Sequence, residues 1–172
     1  MYEDPQDSKQ KVEIKRLGRS GYLHTVIPIF DSSGKVIQRI VKPLMVELTL
    51  RDIIQIVVGA TLLAIPMAFT EETWQLGSTL PNLNVAILSL VSLSFIALFV
   101  YVHFYRFYLK GFVLEYFKRV FAIYVISLVV VGLLMTLIQQ CPWGVDNVLA
   151  IKRIIIVAFP ASMSAVATDA LK

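Results

Sequence analysis

The sequence is poor in the residue types from which most catalytic and metal sites are built. It contains two histidines and a single cysteine, Cys141, among 172 residues. One cysteine excludes a disulfide within the chain and a cysteine-based metal site. A Walker motif and a glycine-rich dinucleotide-binding turn are also missing from the sequence. We therefore predict that the protein is not an enzyme and that it holds no metal ion and no cofactor.

Charged residues are scarce as well. They make up 16% of the chain, whereas hydrophobic residues make up 57%, and the mean hydropathy is +0.72. Soluble domains are nearer to about 25% charged and about 45–50% apolar. A soluble fold of this size would lack the polar side chains to cover such a core. The composition therefore predicts an integral membrane protein, not a nucleic-acid-binding one, although the net charge is +4.

Long apolar stretches predict an all-α membrane protein with about four transmembrane helices in residues 49–172. The predicted spans are residues 53–69, 85–103, 120–138 and a fourth that starts at 149 or 154 and ends at 167. The first helix has an N-cap pattern at Thr49 and Asp52, and its end is predicted as far along as Trp74 or Leu76. Pro66 and Pro160 lie inside the first and fourth spans and predict kinks.

Residues 1–48 precede the spans and form a separate polar segment. Two β-rich runs, 24–30 and 35–41, flank the turn sequence Asp31-Ser-Ser-Gly34. This pattern predicts a small β-hairpin. Because an isolated hairpin is only marginally stable in water, it needs support from the membrane domain, a neighbouring copy or a partner.

The positions of the basic residues predict the orientation of the chain. Nine of the 16 Lys and Arg residues precede Ile53, and four lie between His103 and Val120. Basic residues are enriched on the cytoplasmic side, so both termini are expected in the cytoplasm. Trp and basic residues near the span ends are predicted as interfacial anchors. These are Trp74, Trp143, Arg106, Lys110, Lys118 and Arg119.

Two acids and two bases are predicted at the same outer level of the bundle. Glu71 lies about 27 Å along the first helix from Ile53, at about 1.5 Å per residue, and Lys152 and Arg153 lie near the outer end of the fourth span. Charged groups at membrane depth face protein or water. The alternatives are solvation among the headgroups, pairing of Glu71 or Glu72 with Lys152 or Arg153 within or between chains, and a role in an ion pathway.

Small residues recur at four-residue intervals on the first and fourth spans. Such spacing lets helix backbones approach closely. Packing within the chain is favoured over an oligomer interface or a pore lining. The residues are Gly59, Ala60, Ala64 and Ala68 on the first span, and Ala161 and Ala165 on the fourth.

The stretch Gly59–Gly77, with its Pro, its Thr-Glu-Glu-Thr-Trp element and its final Gly, resembles a pattern in uncharacterised prokaryotic integral membrane proteins. The tail Phe159–Leu171 is similar to the final span of that family. The family is known as a conserved membrane domain of unknown function, so the resemblance implies the membrane class, a place in the cytoplasmic (inner) membrane of a prokaryote, and no substrate. It draws attention to Pro66, Glu71, Glu72, Trp74 and Pro160.

Two functions follow as hypotheses. The first is a small homo-oligomeric channel or transporter for ions. Four spans leave no room for an ion pathway inside a single chain, whereas an oligomer arranged around an axis supplies one between its subunits. The second is a non-conducting membrane anchor, sensor or signalling subunit whose hairpin binds a cytoplasmic protein. The expected partners are the lipid bilayer, further copies of the chain and such a protein, but no nucleic acid.

Overall fold

The computed structural model describes residues 13–17, 22–30, 36–43, 48–106 and 109–171. The chain divides into two compact units between Glu47 and Leu48, one residue before the division expected from the sequence.

The first unit contains three antiparallel strands in the order β1-β2-β3. They are β1 (Glu13–Leu17), β2 (Tyr22–Phe30) and β3 (Val36–Pro43). The strands β2 and β3 pair in a register that sets Val26 opposite Val41, with an irregularity between Ile29 and Phe30. The sequence EIKRL of β1 carries three charged residues, and for this reason it lacks the apolar alternation that would have predicted a strand. The predicted turn, residues 31–34, lies outside the described residues.

The second unit is helical. Its helices are α1 (Leu50–Ala68), α2 (Glu71–Thr79), α3 (Asn82–Val100), α4 (Leu109–Leu137) and α5 (Asn147–Asp169). A π-helical turn, Tyr101–Tyr105, extends α3, and Phe112 interrupts the regular backbone of α4. Four segments are long and apolar enough to cross a membrane, which confirms the predicted number of spans. They are Leu50–Ala68, Asn82–Tyr105, Phe112–Leu137 and Asn147–Asp169.

The first span begins as predicted and ends earlier than its longest predicted extent. Thr49 and Asp52 form the expected capping box. The predicted continuation to Trp74 is wrong, because the backbone is extended at Thr70, with φ −93° and ψ 132°. The indole N–H of Trp74 donates to the carbonyl oxygen of Ala68 at 2.7 Å. This bond satisfies one of the carbonyl groups that the end of α1 leaves open.

The third span starts earlier than predicted. We expected it at Val120, but the membrane-length segment begins at Phe112. The aromatic and basic residues from Phe112 to Arg119 are therefore helical. Because Arg119 is fully buried, its charge does not mark the membrane surface as the sequence suggested.

The most buried helix is α5. Between residues 149 and 169, only Ile151 and Ala167 are exposed. The small residues of α1 and α5 pack inside the unit, and each of the predicted alanines has no exposed surface: Ala60, Ala64, Ala68, Ala161 and Ala165. A methyl group on Gly59 would lie 2.9 Å from the Cα atom of Ala165. These residues therefore bring two helices of one chain together.

The middle turns of the spans present an apolar surface. We define this membrane-depth surface as the exposed residues within 54–68, 85–100, 120–135 and 149–169, all of which are described. Within these ranges the only exposed residue with a polar side chain is Ser94, and its hydroxyl donates to the carbonyl oxygen of Leu90 at 2.8 Å. Leu62, Leu90 and Leu133 are each more than 60% exposed. Such a surface suits hydrocarbon and would favour aggregation in water.

We predict that Gly59→Ala destabilises the helical unit whereas Gly132→Ala does not. A Cβ atom at Gly59 would lie 2.5 Å from Oγ1 and 2.7 Å from Cβ of Thr168, but at Gly132 its nearest neighbour would be Cδ1 of Ile154 at 3.7 Å. Overpacking of this kind costs about 1–3 kcal/mol, while alanine is the better helix former by about 1 kcal/mol. Unfolding of the purified variants in detergent measures both effects, and equal stabilities of the two variants would contradict the close approach of α1 and α5.

Candidate functional site

The largest fully buried side chain among the described residues is that of Arg119 on α4. Its Nε atom donates to Oδ2 of Asp169 at 2.9 Å, and its Nη2 atom donates to Oδ1 of the same carboxylate at 3.0 Å. Nη2 also lies 3.4 Å from Oδ2 of Asp52. All three side chains have no exposed surface. We call Asp52, Arg119 and Asp169 the ion cluster.

The geometry of the pair between Arg119 and Asp169 is bidentate. Two parallel N–H bonds to one carboxylate fix the plane of both groups and are stronger than a single contact. A lysine cannot make this arrangement, because its ammonium is a single point of charge. The pair therefore sets the rotation of α4 relative to α5 as well as their separation.

Aromatic rings cover the guanidinium of Arg119. Its Cζ atom lies 4.0 Å from the centre of the Phe104 ring, within the range of a cation–π interaction. Tyr105 is fully buried nearby and meets Tyr116 edge to face, with 5.4 Å between ring centres. Phe104 and Tyr105 belong to the π-helical turn, so the irregular end of α3 supplies this cover. Helical irregularities of this type are frequent at functional sites.

Asp52 has a second role in the same place. Its Oδ2 atom accepts the backbone N–H of Thr49 at 3.0 Å and also receives Nη2 of Arg119. The residue that caps α1 is thus also a member of the ion cluster. The sequence revealed only the capping role, since that depends on residues three positions apart.

The ion cluster joins three spans at one end of the helical unit. It lies where α1 begins, where the third span begins and where α5 ends, and we call this the basic end. A charge at membrane depth is costly unless it is paired, and each member here has a partner of opposite sign. Intramembrane ionisable groups are functional candidates by default, and this cluster is the strongest candidate site in the described residues.

Hydroxyl groups pair in the middle of the bundle. The Oγ atoms of Ser92 and Ser162 lie 2.7 Å apart and are buried, and Ser89 lies 2.6 Å from the hydroxyl of Tyr124. These bonds link α3 to α5 and α3 to α4. They satisfy polar groups that would be unfavourable in hydrocarbon. Ser162 also donates to the carbonyl oxygen of Phe159 at 3.0 Å, the kind of bond to the helix backbone that serines in membrane helices often make.

The other end of the helical unit, where α1 ends and α5 begins, is called the opposite end. Its two basic residues, Lys152 and Arg153, bind backbone carbonyls. Arg153 donates from Nη1 to the carbonyl oxygen of Gln140 at 2.7 Å and from Nε to that of Trp74 at 3.3 Å. Lys152 donates to the carbonyl oxygen of Leu80 at 2.8 Å. A Cβ atom added at Gly77 would lie only 2.5 Å from Cγ of Arg153. The side chain of Arg153 can therefore pack against α2 only because residue 77 is a glycine.

The acids predicted as partners of these bases lie elsewhere. Glu71 and Glu72 are exposed at the start of α2, and Glu71 accepts a bond from the side chain of Gln75 at 3.1 Å. Among the described residues neither acid forms an ion pair with Lys152 or Arg153. The predicted pairing within one chain is therefore not formed, and the carbonyl oxygens of Trp74, Leu80 and Gln140 bind the two bases instead. A pairing between chains stays a prediction.

The cysteine lies beside this opposite end. Cys141 is buried, and its burial raises the pKa of the thiol. A raised pKa lowers the share of reactive thiolate at neutral pH. The side chain therefore packs in the core with Ala68 and Met135 and offers no nucleophile to the site.

The predicted anchors have different environments. Trp143 is 48% exposed and its indole N–H donates to Thr136 at 2.9 Å. Arg106 is exposed, and Lys118 is 57% exposed and pairs with Glu115. Trp74 is half-buried against the core. The prediction is wrong for Arg119, which lies in the ion cluster, and the side chain of Lys110 lies outside the described residues.

The two predicted kinks stay predictions. Pro66 is exposed two residues before the end of α1, and Pro160 is half-buried in the middle of α5. Both helices run without interruption through their proline.

We predict that Asp169→Asn lowers the free energy of unfolding by about 3–5 kcal/mol, the loss typical of a buried ion pair that loses one partner. Arg119→Lys keeps the charge but loses the bidentate geometry, so an intermediate loss is expected. The matched control is Glu115→Gln, which removes an acid from a partly exposed pair and costs less than about 1 kcal/mol. Unfolding in mixed detergent micelles compares the three variants. A loss for Asp169→Asn as small as that for Glu115→Gln would show that the ion cluster does not hold the spans together.

Comparison with known families agrees with this architecture. Residues 31–170 match the family model described as "Putative integral membrane protein (DUF2391)", which confirms the resemblance seen in the sequence. Comparisons with curated proteins and with solved structures found no match. The matched segment covers most of the chain and includes all four spans and the whole ion cluster. The chain therefore belongs to DUF2391, a family of integral membrane proteins of unknown function.

Proposed function

We propose that the protein is a non-conducting, non-enzymatic membrane module that holds its N-terminal unit, residues 1–47, at the cytoplasmic surface for a protein partner. One observation supports this proposal above the others. The membrane-depth surface is apolar, with Ser94 as its only polar member, and that hydroxyl is bonded within its own helix. A hydrated pathway needs polar or charged lining groups.

The inside of the bundle offers no better route for an ion. Most of its polar side chains are bound within the chain: the ion cluster at the basic end, the serine and tyrosine pairs in the middle, and Arg153 on carbonyl oxygens at the opposite end. Among the described residues, Oε1 of Gln55 on α1 is a buried oxygen without a hydrogen-bond partner. Moving an ion through this arrangement would require breaking several paired contacts in hydrocarbon, where unpaired groups are costly. The pairing supports a static role for the spans.

The proposed orientation places the basic end in the cytoplasm. Nine of the 16 Lys and Arg residues precede Ile53 and four lie between His103 and Val120, and such segments stay on the cytoplasmic side. Both termini would then be cytoplasmic, and a prokaryotic inner membrane is the proposed location. The connection between α4 and α5, which contains Val145, would face outward.

Labelling with a membrane-impermeant maleimide tests this orientation. In a Cys141→Ser background, Val145→Cys is expected to react in intact cells, because Val145 is 91% exposed at the opposite end. Leu171→Cys, at a position 75% exposed beside the basic end, is expected to react only after the membrane is permeabilised. The reverse pattern would place the basic end outside and overturn the proposed orientation.

A second candidate is the homo-oligomeric cation channel or transporter. It is favoured by the position of Glu71 and Glu72, which are exposed at the opposite end while Lys152 and Arg153 are bound to carbonyls. In a ring of subunits such acids would attract cations. This candidate still requires a pathway along an apolar surface, and for this reason it stands second.

Ion flux in liposomes separates the two candidates. The full-length protein is expected to give no flux of Na⁺, K⁺, Cl⁻ or protons above that of protein-free liposomes, while an added ionophore serves as the positive control. Flux that falls in Glu71→Gln or Glu72→Gln, but not in the matched control Glu115→Gln at the basic end, would reject the first proposal and support the second.

The partner is tested in cells by cross-linking. A protein cross-linked to the full chain is expected to be lost when residues 11–48 are deleted and to be retained in Glu72→Gln. Retention of every cross-linked protein after the deletion would show that the N-terminal unit does not recruit a partner.

A further inference from the structure

A groove of about 330 Å³ opens between α3 and α4 in the half of the bundle nearer the basic end. The small side chains of Ser94 and Ala97 leave this space, and the rings of Phe117 and Phe121 flank it. The lining is completed by Leu93 and Val120. All six positions belong to spans, so the groove lies in the hydrocarbon region of the bilayer. The molecules that surround it there are lipids, and a lipid acyl chain can fill it.

An exposed cation lies one position along α4 from a lining residue of this groove. Lys118 directly follows Phe117, is 57% exposed, and has its Nζ atom 2.9 Å from Oε1 of Glu115, one turn nearer the basic end. An exposed pair of this kind is weak, and an ammonium has three donors, so a phosphate can share it. Arg106 is exposed in the connection between α3 and α4, at the same end.

We propose that this groove binds one anionic phospholipid, with an acyl chain between α3 and α4 and the phosphate at Lys118. Basic groups beside a cleft between spans are typical of sites for anionic headgroups. The rings of Phe117 and Phe121 limit the lateral movement of the acyl chain. The ammonium of Lys118 sets the depth of the phosphate in the membrane. The proposal concerns a site for lipid and holds whether or not the chain conducts ions.

A second groove provides an internal comparison. It has a volume of about 680 Å³ and contains residues of α4 and α5, with Gly132 and Leu133 among its lining and Gln139 and Trp143 near its end. Its lining residues are uncharged, as are those of the first groove. The base next to it in the sequence, Arg153 beside Ile154, is half-buried and bound to backbone carbonyls, whereas Lys118 is exposed. An acyl chain can enter this groove also, but there it gains nothing from a negative headgroup, and the preference for anionic lipid is assigned to the groove between α3 and α4 alone.

Native mass spectrometry of the full-length protein tests the proposal. The protein, purified in neutral detergent, is offered equal amounts of dioleoyl phosphatidylglycerol and dioleoyl phosphatidylcholine, which share their chains and differ in headgroup charge. The wild type is expected to retain the anionic lipid with about fivefold preference, the effect of one basic residue near a membrane surface. Lys118→Gln is expected to lose most of this preference, and Lys118→Arg is expected to keep it.

Two further variants locate the lipid. Arg51→Gln removes an exposed cation at the basic end on a different helix, α1, and is expected to keep the preference. Ser94→Leu fills the groove and is expected to lower the retention of both lipids. An equal preference for the two lipids in the wild type, an equal loss in Arg51→Gln and Lys118→Gln, or full retention in Ser94→Leu would each overturn the proposed site.

Discussion

The buried guanidinium of Arg119 is the constraint on which the rest of the helical unit depends. A permanent positive charge enclosed by membrane helices must meet negative charge within hydrogen-bond distance, because no water is there to solvate it. Asp169 meets it with two bonds and Asp52 with a third contact. Since these residues belong to α4, α5 and α1, satisfying one side chain determines how three spans meet. The first of them, α1, is also the helix that follows the N-terminal unit, and Asp52 caps it.

The central position of α5 follows from a charged side chain near each of its ends that must be paired or hydrogen-bonded. Asp169 binds Arg119 at the basic end, and Arg153 binds carbonyls of Trp74 and Gln140 at the opposite end. Between them, small residues let α1 approach closely. A helix held by polar contacts at both ends and by close packing between them has little freedom to slide. This is the physical reason for preferring a module that holds its shape over one that opens a pathway.

Hydropathy alone predicted the four spans, because a span requires only a local property: enough successive apolar residues. Local spacing also predicted the cap at Asp52 and the close packing of the alanines. The ion cluster was missed because its members are 50 and 67 positions apart from Arg119, and Arg119 stands among aromatic residues that also mark a membrane interface. A signal was present: an arginine and two aspartates fall near span ends that must lie on the same side of the bilayer.

The same distinction between local and distant contacts explains the two bases at the opposite end. Counted in the sequence, Lys152 and Arg153 argue against an orientation with the basic end in the cytoplasm. In the structure their charges are bound to backbone carbonyls, and the exposed charges there are acidic: Glu71, Glu72 and Asp146. At the basic end the exposed charges include Arg51, Arg106 and Lys118. The difference in exposed charge between the two ends is thus larger than the sequence indicates, and it is exposed charge that lipid headgroups meet.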